Sequence, residues 1–133
     1  YVFPLIKGLH NSAHNDAERF IYKHMLQDHA RHLTYGYDHL KYAVTHKDGQ
    51  AQVMATLLAV GEGIMARELD TSLIWPAMAI IFGEGVEGAK TKGMDSYLEL
   101  VKDFVADYVE ICNWIGVEKT GRLNPALQQY LDL

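Results

Sequence analysis

DAERFIYKHMLQDHARHLTYGYDHLKYAVTH, residues 16–46, is the stretch whose reading decides the fold. It holds no proline and one glycine, Gly36, and Phe20, Ile21, Met25, Leu33, Leu40, Ala43 and Val44 recur mostly at helical spacings. The pattern predicts one helix of about 31 residues, roughly 46 Å long at ~1.5 Å per residue. Asn15 precedes it as a cap, with Glu18 three positions on as a capping-box partner. A helix of that length suits a bundle.

The flanks carry the same period. A second helix is expected from about Gln50 to Leu69, and a shorter one, opened by Ser72 and Pro76, through Phe82. Between Ser96 and Ile115, the residues Tyr97, Val101, Phe104, Tyr108, Ile111 and Ile115 alternate steps of four and three, with Glu99, Lys102, Asp103 and Glu110 opposite. Asn124 before Pro125 is a cap followed by the residue type favoured at a first helical position, so a last helix is expected from Pro125 to Leu131. Nothing keeps a strand's period of two for long. The fold class is therefore all-α, in one domain spanning residues 1–133, a length that suits a single core.

With 49% hydrophobic residues and a net charge of -5, the chain has enough apolar material to fold and lacks any basic stripe. Nucleic acid and anionic membrane surfaces are not expected as partners, and no apolar run is long enough to span a bilayer. The single cysteine, Cys112, falls among apolar-periodic residues and reads as a buried thiol in a reducing compartment, so a cytoplasmic location is expected. Gly83-Glu-Gly-Val-Glu-Gly88 matches GxGxxG formally. Glu84 and Glu87 would set negative charge beside a pyrophosphate, and the segment reads instead as a glycine-rich helix end.

All seven histidines lie within the first 46 residues, which places the chemistry there. At positions 28–32, Asp-His-Ala-Arg-His puts His29 and His32, and also Asp28 and His32, within one helical turn. Such pairs can direct two donors to one ion. His24, Asp28, His32, Tyr35 and His39 share a face, which is costly to bury unless its members are paired or metal-bound. The other reading of that face is a polar stripe turned to water. His10 and His14 form a separate i, i+4 pair that could chelate if Leu5 to His14 were helical, which Gly8, Asn11 and Ser12 weaken.

The run Asp28-His-Ala-Arg-His-Leu-Thr-Tyr-Gly36 resembles the Asp-Glu-Ala-Arg-His segment of ferritin-like non-haem di-iron proteins, the oxygenases and oxidases related to arylamine N-oxygenases and ribonucleotide-reductase small subunits. That resemblance implies a four-helix bundle enclosing metal, with carboxylate and imidazole ligands from Glu-x-x-His helices. It implies His32 as a ligand, His29 as the residue at the glutamate position, and Asp28 as a ligand or an orienter of another ligand. His24 and Arg31 would stand behind them, and Tyr35 would be a redox or hydrogen-bonding neighbour of the reaction. The implied cofactor is iron, one ion or two, with Mn or Zn as alternatives, and the implied activity is oxidation of a small organic substrate by dioxygen.

Imidazole at position 29 removes the charge and bridging capacity of a carboxylate. No Glu-x-x-His helix occurs before His46, so the chain reads as a partial bundle. It would be completed by an upstream segment or subunit, or by a second copy in a homodimer. A non-catalytic helical module, with no metal or a structural one, is the rival expectation.

Overall fold

The computed structural model describes residues 2–71 and 74–132. Among the described residues there is no strand. The helices are α1 (Val2–Asn11), α2 (Asp16–His46), α3 (Gln50–Thr71), α4 (Ile74–Phe82), a single turn α5 (Val86–Gly88), α6 (Met94–Ile115) and α7 (Pro125–Leu131), with a wide π turn at Ala89–Gly93 leading into α6. The all-α expectation holds. The proposed opener of the fourth helix, Ser72, lies outside the described residues, and Pro76 sits in the first turn of α4, where its missing N–H costs little.

Local chemistry accounts for the helix ends. The Glu18 N–H donates to Asn15 Oδ1 at 2.9 Å, while the Glu18 carboxylate reaches back past the cap to accept from the His14 N–H at 3.0 Å. Those bonds satisfy amide donors that the first turn of α2 would otherwise leave open. At α7, the Asn124 side chain accepts from the Ala126 N–H at 2.9 Å, ahead of Pro125. α1 is a helix that includes Gly8, where a Cβ would meet Leu100 Cδ1 at 2.6 Å and Phe82 Cζ at 2.9 Å. The glycine is a packing requirement that outweighs its propensity. α1 ends at Asn11, so His14 lies beyond it and does not share a helix face with His10.

At the end of α4, the Gly85 N–H donates to the Ile80 carbonyl at 2.9 Å and the Glu84 N–H to the Ile81 carbonyl at 3.2 Å, the pattern that closes a helix C-terminus. Glu84 takes the left-handed position, at φ 58, that glycine usually fills. Gly83 and Gly88 stand backbone against backbone, and a Cβ on Gly93 would run into the Ala79 carbonyl. The glycine run is a helix end and a close crossing of main chain.

The chain forms two compact units. Residues 1–35 and 74–104 make the first, whose core holds Ile6, Met78, Phe82, Tyr97, Val101 and Phe104. Residues 36–73 and 105–133 make the second, whose core holds Leu69, Val105, Cys112, Ile115, Val117 and Leu127. α6 serves both through the four-and-three stripe, widened by Val105 and Cys112. α2 behaves differently: none of its 31 residues is buried, and Phe20, Ile21 and Met25 are exposed. The chain itself does not enclose its longest helix.

Candidate metal-binding face of α2

Asp28, His29, Arg31, His32 and Tyr35 all lie in the first unit, on a regular helix that sets Asp28, His32 and Tyr35 along one side. Ile21 and Met25 extend that side by two turns, and every one of these five residues is exposed. His29 is half-buried and His32 exposed. Asp28 Oδ1 accepts from Arg31 Nη1 at 3.1 Å, with the side chains 66% and 76% open to water. An ion pair so exposed is worth no more than about 1 kcal/mol, so Arg31 holds the carboxylate loosely. His24 has partners of its own: its Nδ1 lies 3.1 Å from Gln27 Oε1, and its ring meets Phe20 edge-on at 4.2 Å. Tyr35 is 76% exposed.

One chain therefore supplies two imidazoles and a loosely held carboxylate. Among the described residues, no three His, Cys, Asp or Glu side chains come close enough together to hold an ion. The donor set is half of what an enclosed centre uses, and it is richer in imidazole than a carboxylate-bridged di-iron pair requires.

A cleft of about 320 Å³ also lies in the first unit, between the α1–α2 connection and the end of α4, lined by Leu9, His14, Glu18, Tyr22, Ile81 and Glu84. Its carboxylates are already engaged. Glu18 caps α2, and Glu84 accepts from Lys92 Nζ at 2.6 Å, a hydrogen bond that holds the Glu84 carboxyl below the usual carboxylate range. Tyr22 lies seven residues before His29, about 10 Å along the helix, so the cleft is not continuous with the histidines.

The strongest electrostatic feature was not visible in the sequence. In the second unit Glu62 of α3 is 2% exposed, and its Oε1 pairs with Lys119 Nζ, itself in a 5% exposed residue. The Tyr108 hydroxyl donates to the same oxygen at 2.7 Å, and the Asn124 N–H donates to Oε2 at 3.1 Å. Burial, reinforced by the bond to Glu62 and by the neighbouring Cys112, pushes the Tyr108 phenol far above its ordinary range. Burial likewise pushes the Cys112 thiol up, which keeps it protonated and unreactive. Every buried side-chain nitrogen and oxygen in the described residues has a partner. This is a satisfied internal network that fastens α6, the loop after it and the start of α7 to α3. On α2, Lys41 Nζ lies 3.7 Å from the Trp114 ring, and burial raises the Tyr37 phenol.

No family model, curated protein or solved structure matches the chain. No described helix is long and apolar enough to cross a membrane.

Proposed function

We propose that the chain is one half of a ferritin-like helical bundle completed by a second copy, and that Asp28, His29 and His32 of α2 hold iron where the halves meet, for oxidation of a small organic substrate by dioxygen. The observation behind this reading is the α2 side carrying Ile21, Met25, Asp28, His32 and Tyr35, which is exposed along its whole length. Apolar residues followed by imidazole and carboxylate on one exposed helix side are what the inner wall of a metal-holding bundle presents. Bringing two such sides together doubles the donors to four imidazoles and two carboxylates, a set suited to one divalent ion. Releasing Asp28 from Arg31 costs little at that exposure. Bound iron would supply the dioxygen chemistry that side chains lack. The chain's own residues position it: His29 and His32 as neutral donors, Asp28 as the anionic one, and Tyr35 beside them.

Metal analysis tests the reading. Protein purified without added metal is expected to hold iron in a fixed ratio to chain, lost in the His32→Ala variant, and to consume dioxygen with a reductant present. Metal-free protein that takes up no Fe(II) at equilibrium rejects it. The second reading, a non-catalytic helical module, is favoured by one observation: Asp28 already has Arg31 as its counter-ion.

A further inference from the structure

We infer that the cleft of the first unit binds a small organic cation, a primary ammonium carried on a short apolar body. This goes beyond the metal reading and does not rest on it. The cleft lies between the α1–α2 connection and the end of α4, within one compact unit, and encloses about 320 Å³. Ligand sites usually span about 300–1,000 Å³, so the space suits a compact monoamine better than a nucleotide.

The lining sets the sign of the charge. It holds the carboxylates of Glu18 and Glu84 and no lysine or arginine. α2 begins at the cleft, but the amides there that would attract an anion are already served: the Glu18 N–H donates to Asn15 Oδ1, and the His14 N–H to the Glu18 carboxylate. An incoming anion would meet two carboxylates in place of open amides. α4 ends at the same cleft, and the negative end of a helix favours a cation.

The bonds that hold the two carboxylates leave them able to bind more. Glu18 accepts from the His14 N–H at 3.0 Å and the Asn15 side-chain amide at 2.8 Å, and Glu84 accepts from Lys92 Nζ at 2.6 Å. An ionised carboxylate has room for about four such bonds. Both donors to Glu18 are neutral, so they fix the group in place and leave its charge uncancelled. The Glu84–Lys92 pair is 67% and 64% open to water, which makes it weak and easily shared with a second cation. Glu84 also stands at φ 58, where glycine fits at no steric cost, and what glutamate adds there is a carboxylate on the cleft. Leu9, Ile80 and Ile81 offer aliphatic surface to the ligand's body, while the His14 imidazole and the Tyr22 hydroxyl add acceptors for its N–H groups. His14, Glu18 and Glu84 do not come close enough together to hold a metal ion. An ammonium seats its acceptors about 2.8 Å away, against ~2.1 Å for a metal, and so tolerates their wider spacing.

Amide chemical shifts of isotope-labelled protein, recorded with benzylammonium as the probe and chelator present, test the assignment. Benzylammonium is expected to bind with a Kd of about 1 mM or below and to move the amides of Glu18, Ile81 and Gly85. Benzyl alcohol and benzoate, of similar size and without the positive charge, are expected to bind about tenfold more weakly or not at all. Glu18→Gln and Glu84→Gln are each expected to weaken the probe about fivefold while keeping the helical circular dichroism of the parent, since glutamine still serves the cap of α2. Glu84→Gly removes the carboxylate and relieves the backbone, so it is expected to melt no lower than the parent and yet bind about fivefold more weakly, a combination that a purely structural Glu84 would not give. No shift up to about 10 mM probe, benzyl alcohol binding as tightly as benzylammonium, shifts confined to residues away from the cleft, or Glu18 and Glu84 variants that bind as the parent does each overturn the proposal. The His32→Ala variant is expected to bind the probe like the parent, so failure of the metal reading and failure of this site are read separately.

Discussion

Replacing Lys119 by methionine isolates the contribution of the buried ion pair. The side chains of Lys119 and Glu62 are 6% and 3% exposed, so little solvent screens them. Methionine fills most of the lysine's volume and removes only the charge and its donors. Glu62 is then left buried with two hydrogen bonds, from the Tyr108 hydroxyl and the Asn124 N–H, and no counter-ion. Removing one member of a buried pair costs about 3–5 kcal/mol, because the survivor keeps its desolvation penalty. The two remaining bonds put the expected loss near the lower figure, about 3 kcal/mol. Against a total stability of about 5–15 kcal/mol for a domain, that is a large fraction.

Urea unfolding followed by far-ultraviolet circular dichroism reads the loss as a lower midpoint with an unchanged slope. The double variant Glu62→Gln with Lys119→Met removes both charges, keeps an amide oxygen that can accept from the Tyr108 hydroxyl, and is expected to recover part of the loss. Arg31→Ala supplies the comparison, since its pair with Asp28 is open to water and is expected to matter by less than about 1 kcal/mol. A Lys119→Met loss under about 1 kcal/mol would show that the interior around Glu62 is wetter than the geometry indicates, and the argument would fail.

Three more expectations follow from the same packing. Tyr108 and Tyr37 have phenols raised by burial, so the folded state favours their protonated forms. Their contribution is complete below the ordinary tyrosine value near pH ~10 and is lost as pH rises above it, so the urea midpoint should fall above that pH while absorbance at 295 nm shows late-titrating tyrosine. A midpoint flat through that range contradicts it. The Cys112 thiol, 2% exposed and raised by burial, should react with an aromatic disulfide reagent only after denaturant is added; fast reaction in the native protein would show that the second unit opens readily. Gly93→Ala drives a methyl group into the Ala79 carbonyl and is expected to cost about 1–3 kcal/mol, seen as a lower melting temperature, whereas an unchanged melting temperature would mean that the α4 crossing yields freely.

The boundaries of α2 were legible because Asn15 and Glu18 act on amides within one turn, and the same is true of Asn124 before α7. The α6 stripe was legible because its buried positions repeat at the helical period. The doubt about a helix from Leu5 to His14 agrees with α1 ending at Asn11, but the reason for Gly8 was not legible, since it is the pair Phe82 and Leu100, which the chain brings there only on folding. α3 continues to Thr71, two residues past the expected Leu69, and α6 begins at Met94, two before Ser96; end turns fray without strong local signals.

The candidate site divides along the same line. Sequence alone determined that Asp28, His32 and Tyr35 share a side of one helix, because 3.6 residues per turn requires it. It could not determine which side of α2 would be covered, since a stripe of Ile21, Met25, Asp28 and His32 is equally compatible with a core and with water. Only the tertiary structure decided that this side stays open while Glu62 goes inside, because burial of a charge depends on a partner. Lys119 reaches Glu62 from a loop far along the chain, and no local pattern announces that meeting.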